Sequence, residues 1–204
     1  MALGTGHGAL LEESPYGIQH RKLAIWLFII SDAVTFAVIL FAYGYLRLAS
    51  PNWTTPFEFS PTIVKGIVMT FVLLTSSLTM LAALEAANAG RKSSCVGWLA
   101  ATMLLGILFA GLHVREWTKM IGEGWRLFQN PLGGSALFGA TFFSITGLHL
   151  LHVTVGVVVI AVITMGYARG RWTAGHVETT GLYWHFVDVV WMFVFPLVYL
   201  MNAK

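Results

Sequence analysis

The chain has little charge and almost no cysteine. Asp, Glu, Lys and Arg make up 10% of its 204 residues, where a soluble domain carries roughly a quarter. The lone Cys95 excludes an internal disulfide framework and any cysteine-built zinc or iron–sulfur site. The net charge is only +3, and the basic residues do not form a stripe interleaved with aromatics, so nucleic acid is excluded as a partner. The sequence has no phosphate-cradling glycine loop, no Ser–His–Asp order and no His-Glu-x-x-His helix. Residues 1–20 hold no apolar signal-peptide core and read as a polar tail, so the first span is expected to direct insertion. Internal repeats and low-complexity tracts are also missing, and residues 21–204 read as one domain.

What the chain has in excess is apolar surface. Hydrophobic residues reach 57%, and the mean hydropathy is +0.75. A core of this size cannot bury them all, so lipid is their natural solvent. Five stretches have bilayer length: about Leu23 to Leu46, Ile63 to Ala87, Val96 to Val114, Ala136 to Tyr167 and Thr180 to Met201. The fold class expected is therefore all-α, an integral membrane bundle of five transmembrane helices. Arg91–Lys92 and Arg169/Arg171 lie in very short loops on the face that also carries Arg21 and Lys22. The opposite face is as basic by count, so the weight falls on those short loops, which place the N-terminus in the cytoplasm. Ala82/Ala86, Ala83/Ala87 and Gly106/Ala110 have the small-xxx-small spacing of close helix contacts. Pro196 removes one donor from the last span and is expected to bend it.

Ionisable groups inside the spans are costly and mark function by default. Asp32 lies about ten residues into the first span, about 15 Å deep at 1.5 Å per residue. Asp188 sits at a similar depth from the same face, with His185 one turn nearer that face. These three are expected to form one polar network that ties helices together, holds a proton or meets a lipid headgroup. His149 and His152 share a helix at i, i+3, and only His113 matches their depth from a second span. A haem or metal reading competes there with hydrogen bonding between helices or to lipid. Arg115 and Glu116 are expected where the third span meets the interface, beside the belt residue Trp117. Arg47, His113, Glu116 and His149 are candidates for a phospholipid headgroup site.

The segments "SDAVTF", "EW", "GLHLLHVTVG" and "GLYWHFVDVVWMFVFPLVYL" together resemble subunit III of the haem–copper terminal oxidases. The last of them matches the family signature almost letter for letter. The five spans resemble the shorter bacterial form, which lacks the first two helices of longer members. The resemblance implies a multi-pass protein of the bacterial inner membrane that holds no haem, copper or catalytic residue of its own. It implies haem and copper in partner subunits, direct packing on subunit I, and assembly with subunit II and a small subunit IV; membership of a larger respiratory supercomplex stays open. It also implies a V-shaped cleft with bound phospholipid, and support for proton delivery. In that light Asp32, His185, Asp188, His113, Glu116, His149, His152 and Arg47 are lipid-binding or buried network residues. One departure concerns the electron donor. Cytochrome c oxidases usually carry Ser-Glu where this chain has Ser31-Asp32, and Asp also occurs in quinol-oxidising members. The readings from another class are a haem b membrane anchor, which needs facing histidine pairs, and a transporter, which needs inverted repeats.

Overall fold

The structure, a computed structural model, describes residues 20–203 other than Thr55, Glu58 and Gly134, so the expected N-terminal tail lies outside the described residues up to position 19. The main elements are α1 (His20–Ala49), α2 (Val64–Asn88), α3 (Lys92–Gly122), α4 (Leu137–Ala168) and α5 (Ala174–Val194). A π-helical turn, Phe195–Tyr199, and a 3-10 turn, Leu200–Asn202, prolong α5. Pro196 stands at the start of that π turn, where its missing donor changes the hydrogen-bond register. All five helices are long and apolar enough to cross a membrane.

The helix ends differ from the sequence expectation for a physical reason. Hydropathy marks where lipid ends, whereas a helix ends where its backbone is broken or capped. The segment after Val114 has no breaker, so α3 runs on to Gly122, and Arg115, Glu116 and Trp117 are helical rather than in a loop. The last helix starts earlier than Thr180. Thr173 caps it, with the Thr173 side chain and the His176 imidazole satisfying each other's backbone donors. Two glycine turns fold the chain back sharply. Gly90, at φ 68°, ends α2 with bonds from Gly90 N to Ala87 O and from Arg91 N to Ala86 O. Gly170, at φ 72°, repeats this after α4, with bonds to Tyr167 O and Gly166 O. Both closures need the left-handed backbone that glycine adopts without strain.

The two hairpins, α2–α3 and α4–α5, pack on each other through α3–α4 and α2–α5. Helix α1 stands outside this four-helix unit, against α5 and α4. Its buried residues are Ile29, Phe36 and Tyr43. That spacing is a single seam, and Leu27, Ile30, Val34, Val38 and Phe41 face outward. The core centres on α5. Trp184 fills the slot between Gly106 of α3 and Gly156 of α4, where an added Cβ would lie 2.6 Å and 2.8 Å from its ring. Its indole N–H donates to Ser76 Oγ (2.9 Å), and that of Trp191 donates to Thr70 Oγ1 (3.0 Å), which stitches α5 to α2. Trp117 ties α3 to α4 through Thr146 Oγ1 (3.2 Å). Cys95 is fully buried beside the start of α3.

Candidate functional site

The intramembrane polar residues fall into separate groups, each joining different helices. Asp32 of α1 meets His152 of α4, with Nε2 to Oδ2 at 2.9 Å. The other ring nitrogen of His152 lies 2.8 Å from Leu148 O. A carbonyl only accepts, so Nδ1 carries a hydrogen. The short contact to Asp32 then requires one proton between Nε2 and Oδ2, as imidazolium with carboxylate or as imidazole with carboxylic acid. Tyr183 of α5 donates to His152 O (3.0 Å), and Phe36 packs edge-on to the ring.

The second group lies between α2 and α5. Ser77 Oγ donates to Asp188 Oδ2 and lies 2.9 Å from His185 Nδ1. One hydroxyl hydrogen cannot serve both partners, so with Asp188 ionised it is His185 Nδ1–H that donates to Ser77. The expected trio of Asp32, His185 and Asp188 is therefore divided. Asp32 takes its imidazole from α4, and Ser77 bridges the other two. The one-turn spacing of His185 and Asp188 puts them on one face, as expected, but α2 rather than α1 packs against that face.

The third group is the end of α3. Glu116 is buried and pairs with Lys65 of α2 at 3.4 Å. It opens on a polar pocket of about 210 Å3 whose lining includes Thr62, Lys119, Glu123 and Trp125. The fourth group is inside the bundle. His113 and His149 are both fully buried, which removes them from contact with any lipid headgroup at the surface of this chain. The i, i+3 histidines of α4 point into different sectors, His152 toward α1 and His149 toward Trp191 of α5. His113 and His149 both pack on Trp191, with ring centroids 5.6 and 5.2 Å away. Among the described residues, no three His, Cys, Asp or Glu side chains are grouped to hold one metal ion.

Arg47 is the member of the headgroup set that lines an apolar groove. It bonds Met201 O and borders a cavity of about 480 Å3 with Leu40, Tyr43, Trp53 and Leu197. A second groove of about 480 Å3 lies at the other end of α1, between Arg21, Phe28, Val159 and Tyr183. Three residues that the sequence analysis does not single out prove central: Ser77, Lys65 and Asn202. Ser77 sits in the hydroxyl run "TSSLT", which is unusual inside an apolar span but does not name its partners. Asn202 is fully buried and carries no comparable signal. It accepts from the Trp53 indole (2.8 Å) and donates to Tyr43 Oη (2.6 Å) and Val198 O (2.7 Å).

A five-helix, multi-pass membrane bundle, laced across its helices by buried acid, imidazole and indole groups, is the class that fold and site define. Residues 13–203 match the family model for cytochrome c oxidase subunit III, and the chain belongs to that family. It is 33% identical over 184 residues to the cytochrome bo(3) ubiquinol oxidase subunit 3 of Pseudomonas aeruginosa, covering 87% of this chain and 83% of that one. It is 32% identical over 188 residues to the cytochrome c oxidase subunit 3 of Alkalihalophilus pseudofirmus, covering 91% and 88%. It is 33% identical over 184 residues to the quinol oxidase subunit 3 of Bacillus spizizenii, covering 88% and 86%.

Proposed function

We propose that this chain is the non-redox subunit III of a proton-translocating haem–copper terminal oxidase, a cytochrome c oxidase of an aerobic respiratory chain. Haem and copper belong to partner subunits. This chain packs on catalytic subunit I, in an assembly with subunit II and a small subunit IV. It stabilises subunit I, supports proton delivery to it and binds phospholipid. The assembly lies in a bacterial plasma membrane with the N-terminus of this chain cytoplasmic. The observation that carries the reading is membership of the subunit III family across residues 13–203. Support for the lipid role comes from the two apolar grooves beside α1, each with an arginine on its border, Arg21 in one and Arg47 in the other. Such a pairing of apolar wall and guanidinium suits an acyl chain with a phosphate head.

A quinol oxidase is the second reading, and Asp32 favours it, since the Ser-Asp pair replaces the Ser-Glu usual in cytochrome c oxidases. One purification separates the two. The complex is isolated through a tag on this chain, its partner subunits are identified, and oxygen uptake is measured with reduced cytochrome c and with a quinol. A preparation without haem–copper subunits overturns the family-level function. Haem or copper bound in stoichiometric amount to this chain alone overturns the non-redox reading. Mass spectrometry of the gently purified complex tests for phospholipid.

A further inference from the structure

Four imidazole nitrogens in the middle of this bundle have no hydrogen-bond partner among the described residues. His113 and His149 are fully buried, and Nδ1 and Nε2 of each lack a hydrogen-bond partner among the described residues. The hydroxyl of the buried Tyr199 is in the same position. The three belong to one neighbourhood. Trp191 touches all of them, with ring centroids 5.6 Å from His113, 5.2 Å from His149 and 5.8 Å from Tyr199. Phe109 closes another side, 5.7 Å from His113 and 5.8 Å from His149. Polar atoms so deeply buried are disfavoured unless something bonds them.

What could bond them is narrowed by chemistry. A metal ion needs more ligands than the two imidazoles supply, since no three His, Cys, Asp or Glu side chains are grouped among the described residues. A lipid headgroup cannot reach fully buried rings. Water fits, because it donates and accepts, as neutral imidazole and phenol do, and a buried water makes about three hydrogen bonds. A polar pocket stands at one end of the cluster. Glu116 lies one turn beyond His113 on α3 and lines this polar pocket of about 210 Å3 at the end of the helix. Tyr199 in turn stacks on Phe57, another wall of that pocket, at 5.1 Å.

We propose that the α3–α4–α5 interior is a hydrated chamber, in which ordered waters bridge His113, His149 and Tyr199 and exchange with the outside past Glu116. Trp191 is its wall. Trp184 is as deeply buried and likewise bonded through its indole N–H, but its ring is packed between Gly106 and Gly156 rather than against the two imidazoles.

The test is radiolytic hydroxyl-radical footprinting of the purified membrane complex containing this chain, read by mass spectrometry and pulsed with oxygen-18 water. Trp191, His113 and Tyr199 are expected to take up label several-fold faster than Trp184, because radicals form on waters beside them. Labelling of Trp191 no faster than Trp184 overturns the proposal. A high-resolution map of the same complex is the second measurement and needs no variant. Density about 2.7–3.2 Å from a nitrogen of each histidine supports water. A peak at about 2.0–2.1 Å from both rings is a metal and overturns it, as does an interior where the two rings bond each other directly. Glu116→Leu is expected to slow oxygen-18 exchange at Trp191 several-fold, and unchanged exchange overturns the route past Glu116.

Discussion

His152 Nε2 lies 2.9 Å from Asp32 Oδ2, and this contact joins α1 to α4. It matters because few side chains of α1 are buried: Ile29, Phe36 and Tyr43, with Ile25, Ile39 and Leu40 half-buried against the core. Asp32→Asn keeps the shape and can donate an amide hydrogen to Nε2 of a neutral His152. Asp32→Ala leaves that nitrogen short of a partner, at a cost of about 1 kcal/mol for a partly exposed pair. Asp32→Asn is therefore expected to assemble normally, and Asp32→Ala to loosen α1, seen as faster proteolysis at the end of α1 near Ala49. Equal behaviour of the two variants would show that the contact does not hold the helix. An assembled Asp32→Asn complex with normal turnover but impaired proton pumping would give the pair a role in proton handling.

Ser77 is the only described side chain to which either His185 Nδ1 or Asp188 Oδ2 bonds. Asp188 Oδ1 is already buried without a partner. Ser77→Ala thus orphans two polar groups by removing one oxygen, and is expected to cost about 1–3 kcal/mol. A double cycle with Asp188→Leu checks the mechanism. The two changes should be strongly non-additive in thermal unfolding of the detergent-solubilised complex, since once the carboxylate is gone the serine has less to satisfy. Additive losses would place the effect of Ser77 elsewhere in α2.

The five spans are legible in the sequence because lipid imposes a length and a polarity that no soluble element shares. His185 and Asp188 are legible for the same reason, as polar residues in a helix that is otherwise apolar. Their partners are not. Which helix faces Asp32 depends on α1 docking outside the four-helix unit, and periodicity within one helix carries no information about its neighbour. The divergence of His149 from His152 is equally hidden, because i, i+3 spacing permits a shared face but also allows two adjacent helices to divide the pair. Asn202 is silent for a different cause. It stands beyond the last apolar run, where composition suggests a frayed end, and its burial comes from Trp53 and Tyr43, distant in sequence.

Trp184 needs both of its glycines. An added Cβ at Gly106 would meet the far corner of the indole at 2.6 Å, and one at Gly156 would meet the six-membered ring at 2.8 Å. Neither neighbour can yield easily, because Trp184 is fully buried and anchored to Ser76. Gly106→Ala and Gly156→Ala are each expected to cost about 1–3 kcal/mol by overpacking. Trp184→Phe withdraws the ring edge that Gly106→Ala strikes, so combining the two should cost less than the sum of the single changes. Thermal unfolding of the four forms measures this, and simple additivity would mean that the slot is not what makes glycine necessary.

Asn202 ties three parts of the chain at the end of α5. Its amide nitrogen donates to Tyr43 of α1 and to Val198 O, and its oxygen accepts from Trp53 in the segment after α1. Arg47 reaches Met201 O beside it, so the last turn of the chain holds this end of α1 at two points. Asn202→Asp and Asn202→Ala separate the roles of the two ends of the amide. Aspartate keeps the acceptor for Trp53 but loses both donations, and buries a carboxylate. Alanine loses everything and leaves the Trp53 indole N–H unsatisfied, at about 1–3 kcal/mol. Both variants should release the α1 end from α5. The expected signature is a rise in labelling of a cysteine placed at Leu48 or Leu200, with no change at a cysteine placed at Leu27 near the opposite end. If Leu27 responded as strongly as Leu48, α1 would be docking as one rigid unit, and the clasp at Asn202 would not be a local one.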